Sequence, residues 1–366
     1  MLKILYIIIP CYNEEEVLPI TAPLFLNQIN DLGRKQTRSL QFEQSLIDDS
    51  SSEIAIDGHV IPSSSHDNEL AQKGYKFSNI KDSQIKVLMG YDVNTNTPLF
   101  SRIYEGGNLD KISIKDVLQR YTFKNVRFIV DRGFYSKENI ELFSSDNNQY
   151  IIPLSPNLTS YKEITENMNL ERDFVYEESK KNTVINYRED IKDGKRVIVY
   201  RDSNQNAIDK AKYLKNMKEK PEKYTKEKYD KIKDFFGVIV IETNIMDMSA
   251  EEFYDLYKKR WKIETYFDYF KNKTGYKALS LKDYYKTEGL AFIMLVTGLI
   301  HSEMEKNMAA STIKGKTIDD CLIDAAFIKI HKSGTKWRIE NILQKTKNMM
   351  EELNVYFDKE REFINK

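Results

Sequence analysis

Tyr257-Lys258-Lys259-Arg260-Trp261-Lys262-Ile263-Glu264-Thr265-Tyr266-Phe267-Asp268-Tyr269-Phe270-Lys271 is the stretch that decides how this chain folds. Upstream of it stands Ser249, with Glu252 three residues on, a spacing that predicts a capping box and therefore a helix. At about 100° per residue, an uninterrupted helix carries Tyr257, Arg260, Glu264 and Lys271 within an arc of about 60°. One ridge then presents a phenol, a guanidinium, a carboxylate and an ammonium. A helix buried for packing would place apolar groups in that arc. The carboxylate suits a divalent cation, and Arg and Lys beside it suit phosphates. Trp261, about 40° away on the wheel, reads either as core packing or as a platform for a displaced base. Asp268, four residues after Glu264, is a competing ligand.

Working outward, Phe236 to Glu242 has strand character. Before it, residues 156–235 read as an insertion with three short alternating strands, Phe174-Val175-Tyr176, Val184 to Tyr187 and Val197 to Tyr200. A helical stretch from Asn206 to Phe235 follows, broken near Pro221 and rich in lysine. It reads either as a solvated face or as a surface for DNA backbone. Earlier still, Glu53-Ile54-Ala55-Ile56-Asp57-Gly58 predicts a strand ending in a carboxylate and a turn. Gln84 to Asp92 and Pro98 to Tyr104 predict a hairpin around Asn94-Thr95-Asn96-Thr97. Ile112 to Tyr121 has helical spacing. Arg127-Phe128-Ile129-Val130-Asp131 is a second strand ending in Asp; Ser136 is an N-cap candidate for a helix through Leu142, and Gln149 to Leu154 is a fifth strand. Three strands, helix, strand, helix, strand imply a mixed sheet with covering helices.

Tyr257-x2-Arg260-x3-Glu264-x6-Lys271 resembles the signature of bacterial insertion-sequence transposases of the DDE class. Asp131-Arg132-Gly133-Phe134-Tyr135 resembles their second-Asp motif and Ala55-Ile56-Asp57-Gly58 their first. Tyr104-Glu105-Gly106-Gly107-Asn108-x-Asp110 resembles the turn between them. The resemblance runs from about residue 37 to 310. It implies an α/β, RNase H-like mixed sheet flanked by helices, with a β-rich insertion before the Glu helix. It implies metal-dependent DNA strand cleavage and strand transfer, an in-line displacement at phosphorus assisted by two Mg²⁺ or Mn²⁺ ions. By resemblance Asp57, Asp131 and Glu264 are the catalytic and metal-binding residues, with Asp57 bridging. Tyr257, Arg260 and Lys271 then hold DNA. The implied partners are double-stranded DNA, as transposon ends and target, and a second copy in a homodimer on DNA. The implied location is the bacterial cytoplasm, at the nucleoid.

The first residues read differently. Leu5-Tyr6-Ile7-Ile8-Ile9-Pro10 followed by Asn13-Glu14-Glu15-Glu16 resembles the opening of family 2 glycosyltransferases. Leu46-Ile47-Asp48-Asp49-Ser50-Ser51 only faintly echoes their next motif, and no Asp-x-Asp follows. The expected organisation is therefore a glycosyltransferase-like remnant (1–34), a catalytic domain in two parts (35–155 and 236–310) around the insertion (156–235), and a helical C-terminal segment (311–366). Only some twenty transposase-like residues precede Asp57. That predicts a chimera with a shortened transposase N-terminus, with an inactive chain as one outcome. A glycosyltransferase and a non-catalytic DNA-binding remnant are the alternative functions.

Composition narrows the classes. The chain has 366 residues, 41% hydrophobic and 31% charged, which excludes disorder. Lys+Arg and Asp+Glu are both 56, so wholesale basic packaging of nucleic acid is excluded while a local basic groove is not. Cys11 and Cys321 are too few for a disulfide framework. The apolar run Leu290 to Ile300 falls short of the roughly 20 residues a membrane span needs, and reads as a core helix. His59 and His66 flank the first strand without a third ligand in register, so they read as surface or hydrogen-bonding residues.

Overall fold

Ile54, Ala55 and Ile56 are sequestered from solvent, because strands on both sides and helices on both faces enclose the strand they belong to. The computed structural model describes residues 36–356 and 360–362 apart from 66, 75–82, 167, 179–180, 274–280, 334–335 and 340–341. The glycosyltransferase-like remnant expected over residues 1–34 lies outside the described residues, as does His66.

In chain order the elements begin with helix α1 (Gln36–Asp48), strands β1 (Glu53–Ser63), β2 (Ser83–Asp92) and β3 (Thr97–Glu105), then α2 (Asp110–Arg120) and β4 (Arg127–Val130). A single 3-10 turn, Arg132–Phe134, leads to α3 (Lys137–Phe143) and β5 (Gln149–Pro153). Next come α4 (Thr159–Thr165), β6 (Arg172–Glu178), β7 (Lys181–Lys192), β8 (Lys195–Asp202), α5 (Ser203–Glu219), α6 (Lys226–Ile232) and β9 (Val238–Thr243). Helices α7 (Ala250–Lys258), α8 (Trp261–Lys273) and α9 (Tyr284–Ala310) follow. The C-terminal elements are α10 (Ile318–Ala326), β10 (Ile330–Ser333), β11 (Lys336–Ile339), α11 (Gln344–Glu352) and β12 (Glu360–Glu362). Two compact units divide the chain, one of residues 40–291 and a second that takes in the residues from 292 onward.

Nine strands form one mixed sheet in the order β3-β2-β1-β4-β5-β9-β8-β7-β6. β1–β4 and β4–β5 are parallel, and the remaining neighbours are antiparallel. This is the mixed sheet with flanking helices that the order of elements predicts. The strands of the insertion are not a separate β-domain: β8 bonds to β9 along its length, so β6–β8 prolong the main sheet.

The hairpin at Asn94–Thr97 is built by Asp92, whose carboxylate accepts from the amides of Ser51, Asn94 and Thr95. Asn96 takes the left-handed backbone the turn requires, at φ 54°. Ser136 caps α3 by accepting from the Asn139 amide, and Ser249 with Glu252 forms the full capping box of α7. On one face of the sheet, Ile54, Ile56, Leu88, Phe128 and Val130 pack with Ile114, Val117, Ile140 and Phe143 of α2 and α3. Rings run through this layer, with Phe100–Tyr121, Phe123–Phe128 and Phe128–Phe143 centroids 5.0, 5.1 and 5.1 Å apart. Each such side chain taken from water stabilises the fold by about 1.5–3 kcal/mol.

Three sequence expectations need correction. β1 does not end at Asp57 and turn at Gly58; it continues to Ser63, with Asp57 opposite Met89 and Gly58 opposite Leu88 on β2. Asp57 is still at an end in one respect, because its other neighbour, β4, stops at Val130. The Glu helix is also not one helix. α7 closes at Lys258 and α8 opens at Trp261, with the Arg260 amide bonding Tyr257 O and the Ile263 amide bonding Arg260 O. These three-residue bonds tighten the turn, so the wheel angles computed for a single α-helix do not carry across it. Finally, Trp261 is 64% exposed and belongs to no core.

The run Leu290–Ile300 lies inside α9. Among the described residues, no helix is long and apolar enough to cross a membrane. In the second unit, Cys321 is buried as a free thiol among Ala325, Met349, Met350 and Leu353.

Candidate active site

The parallel register pairs Ile56 with Val130, so the next residue of each strand is an aspartate, Asp57 on β1 and Asp131 after β4. Neighbouring strands lie about 4.8 Å apart. The two carboxylates therefore start from adjacent backbone positions. Asp131 opens the 3-10 turn Arg132–Phe134, and its side chain makes no capping bond there, which leaves the carboxylate for other partners. The Asp57 carboxylate is held by the amide of Gly58, which donates to Oδ1 at 2.8 Å.

Glu264 comes from α8, over the sheet face opposite to α2 and α3. Ile263 is fully buried, the Phe267 ring stacks on His59 at 5.0 Å, and Tyr266 meets Tyr91 at 5.3 Å. Two lysines the sequence reading passed over secure the turn between the helices. Lys262 Nζ donates to Val93 O at 2.6 Å, and Lys259 Nζ lies 3.4 Å from Asn94 Oδ1 and 4.0 Å from a Glu53 carboxylate oxygen. The helical segment is thereby tied to the β2–β3 hairpin and the start of β1.

Arg260 sits at the centre. Its Nη1 donates to Asp57 Oδ2 at 3.3 Å and its Nη2 donates to Glu264 Oε1. Tyr257 and Asp131 both act on the same guanidinium electrostatically. Burial pushes the Asp57 carboxyl up to about 6, against the pull of Arg260 and the Gly58 amide; Asp131 and Glu264 add to the rise. Burial also raises the Tyr257 phenol, which Arg260 draws back and Asp131 pushes further. Arg260 keeps its proton firmly: burial opposes its charge, but Tyr257, Asp57, Glu264 and Asp131 together outweigh that.

Five sequence-selected residues, Asp57, Asp131, Glu264, Tyr257 and Arg260, are thus mutually within electrostatic reach. Lys271, further along α8 from Glu264, is exposed and acts on His59, two residues along β1 from Asp57. Burial and Lys271 hold His59 below its ordinary value, against Asp268. Asp268 therefore also sits on the His59 side. The pairing of Arg260 with Glu264 had a signal in their i,i+4 spacing, while its bond to Asp57, on β1, had none in the sequence.

Among the described residues no three carboxylate, imidazole or thiol groups form a ready-made cation cage. The positive charge in the cluster is the Arg260 guanidinium. The donor set nevertheless fits a hard divalent ion, being made of carboxylate oxygens alone. Asp57 in particular is desolvated, flanked by two further acids and stabilised as an anion only by a neighbouring cation and one amide.

Comparison with known proteins follows the same residues. The profile of a family described as the transposase DDE domain matches residues 48–297, which contain every group named above. Among solved structures, a chain of the piggyBac transposase synaptic complex with hairpin DNA aligns over 86% of this chain and 59% of its own, at 12% identity and a TM-score of 0.48. This chain thus spans less than two thirds of the length of that one. No curated protein matches the chain significantly.

Proposed function

Because the chain belongs to the transposase DDE domain family, we propose that it cuts DNA and joins the freed end to new DNA, with Asp57, Asp131 and Glu264 as the working carboxylates. Enzymes of this family use divalent metal ions. Asp57, Asp131 and Glu264 would hold two Mg²⁺ or Mn²⁺ ions. When bound, the ions supply neutralisation of the charge that builds on the attacking and leaving oxygens.

The observation that carries this reading is the pairing of Ile56 with Val130, which sets Asp57 beside Asp131, together with Glu264 drawn to the same Arg260 as Asp57. In the cutting step a water oxygen bonds to phosphorus, the bond from phosphorus to the 3′ oxygen breaks, and that oxygen leaves as a hydroxyl. In the joining step the 3′ hydroxyl bonds to a target phosphorus, and the displaced target oxygen takes up the proton. Both are displacements on a dianionic-like centre, so cationic groups fixed around it lower the barrier. Arg260 is pre-placed for this. With Asp57 and Glu264 holding cations, its guanidinium would be left to pair with a phosphate, for which its fork is well shaped. Tyr257 shares the cluster and would donate its hydroxyl to the same phosphate. Lys271 lies on the His59 side and would hold backbone further along the duplex.

The partners are double-stranded DNA, as element ends and target, and a second copy of the chain on that DNA, in the bacterial cytoplasm. The test is conversion of supercoiled plasmid to nicked circles in Mg²⁺ or Mn²⁺. Parent protein that nicks while Asp57→Asn and Glu264→Gln do not supports the reading. DNA binding without nicking by the parent protein would make it a DNA-binding remnant.

A further inference from the structure

Beneath Asp57 and Asp131, on the opposite side of the sheet, lies a second charged pair that the proposed chemistry does not use. Lys86, on β2, is 1% exposed, and its Nζ sits 2.9 Å from Asp110 Oδ1 and donates to Asn108 O. Asp110, the first residue of α2, is 6% exposed. Lys86 pairs with Val60 across β1–β2, so its side chain shares a face with Gly58 and not with Asp57. Two buried charges in a layer of Ile, Val and Phe are costly, and an apolar pair would pack there at least as well. Their position suggests why they stand there.

The Asp110 carboxylate is lodged against two glycines, each close behind one of the catalytic aspartates. A methyl group on Gly58 would lie 3.6 Å from Asp110 Oδ1. A methyl group on Gly133, two residues after Asp131, would lie 2.8 Å from Oδ2. One carboxylate oxygen therefore abuts β1 just past Asp57 and the other abuts the turn just past Asp131. At Gly133 the approach depends on the absence of a Cβ, whereas at Gly58 a methyl group would make ordinary contact. Lys86 fixes the carboxylate from β2, and the start of α2 fixes its backbone. The β1–β4 ladder itself stops at Ile56 and Val130, short of both aspartates.

We propose that the buried Lys86–Asp110 pair is a positioning element, a wedge between Gly58 and Gly133 that sets the separation of Asp57 and Asp131 and so their joint affinity for divalent cations. The proposal rests on the reading of those two aspartates as metal-holding. Supporting groups of metal ligands are typically worth about 10–100-fold in affinity, and the wedge acts at that level, through backbone.

The experiment is Mn²⁺ binding to the full chain, followed by the loss of the free-ion electron paramagnetic resonance signal, beside thermal unfolding of each variant. Asp110→Asn and Gly133→Ala are each expected to raise the half-saturating Mn²⁺ concentration about tenfold. Tyr121→Phe, which cuts a buried hydrogen bond remote from the wedge, gives the comparison for a merely structural loss: it lowers the unfolding temperature and leaves Mn²⁺ binding unmoved. If Asp110→Asn fails to fold, Gly133→Ala decides alone, since it keeps the ion pair and only displaces it. Folded Gly133→Ala with parental Mn²⁺ binding overturns the proposal. Asp57→Asn separates the two levels: if it too binds Mn²⁺ like the parent, the carboxylate reading itself fails and the wedge with it.

Discussion

The guanidinium of Arg260 donates to the carboxylate of Asp57 at 3.3 Å while reaching Glu264 with its other nitrogen. A strand residue and a helix residue, 207 positions apart in sequence, share one cation. Three acids in a largely buried cluster would repel one another, and the arginine offsets that repulsion where a divalent ion would otherwise do so. Arg260 and added metal should therefore be partly interchangeable for stability and not for catalysis.

Arg260→Gln tests this. Removing one partner from a buried ionic cluster leaves uncompensated charge, and the side chains of Arg260 and Asp57 are only 14% and 18% exposed. The variant should lose about 2–4 kcal/mol of unfolding free energy in chelator. Millimolar Mg²⁺ should recover most of the loss for the variant and little for the parent. Equal responses to Mg²⁺ in urea unfolding of the two proteins would show that the cation does not enter the Arg260 position.

Trp261 follows Arg260 directly and is 64% exposed, an uncommon setting for the largest apolar side chain. Trp261→Ala should leave stability within about 0.5 kcal/mol, as for surface positions generally. Affinity for a hairpin or single-stranded oligonucleotide, measured by fluorescence anisotropy, should weaken by about 1–3 kcal/mol, the worth of one stacked base. Unchanged affinity would leave its exposure without a nucleic-acid role.

A pH dependence of folding is built in far from the cluster. Glu43 of α1 is 2% exposed and accepts from the Ser101 amide and the Tyr121 hydroxyl. Arg102 and Glu288 also face it. Burial raises its carboxyl above 4.5, outweighing Tyr121, Ser101 and Arg102. A folded-state value above the unfolded one means the native chain binds the proton more tightly. The stabilising effect is full below the unfolded value and is lost as pH rises through the folded value. The parent should thus lose stability from Glu43 on going up from about pH 4.5, and Glu43→Gln should not. The difference between the two urea-unfolding curves, taken at several pH values between 4 and 8, isolates this group from other titrations. A difference that does not vary with pH would refute it.

Much of this was legible in residue order. Hydrophobic runs closed by Asp57 and Asp131 predicted the strands, and Ser136 and Ser249 announced their helices through capping chemistry that is local in sequence. What escaped depended on tertiary bonds. That β1 runs on past Gly58 is decided by β2, which pairs with it as far as Ser63. That the Glu helix breaks at Lys259–Arg260 follows from ties to Val93, Asn94 and Glu53, which no wheel contains. Lys86 was unreadable as a buried charge because its partner Asp110 lies 24 residues away on another element. Glu264 and Lys271 share α8, beyond the break, and there Lys271 acts on His59, a pairing across to β1 that no wheel contains.

Asp131 offers the cleanest separation of chemistry from folding. It ends β4 and opens the 3-10 turn, where its carbonyl, not its carboxylate, accepts the Phe134 amide. The turn is further held by Phe134, itself buried in the core, and by Asn139, which donates to Phe134 O at 2.8 Å. Asparagine in its place keeps the volume and the backbone bonds and loses only the charge. Unfolding free energy should therefore stay within about 0.5–1 kcal/mol of the parent. Plasmid nicking should fall by more than about a hundredfold, beyond what loss of a supporting group costs a metal site. Nicking within a few-fold of the parent would remove Asp131 from the proposed carboxylate set. An unfolded variant would mean instead that the charge supports the turn, against the absence of a side-chain cap there.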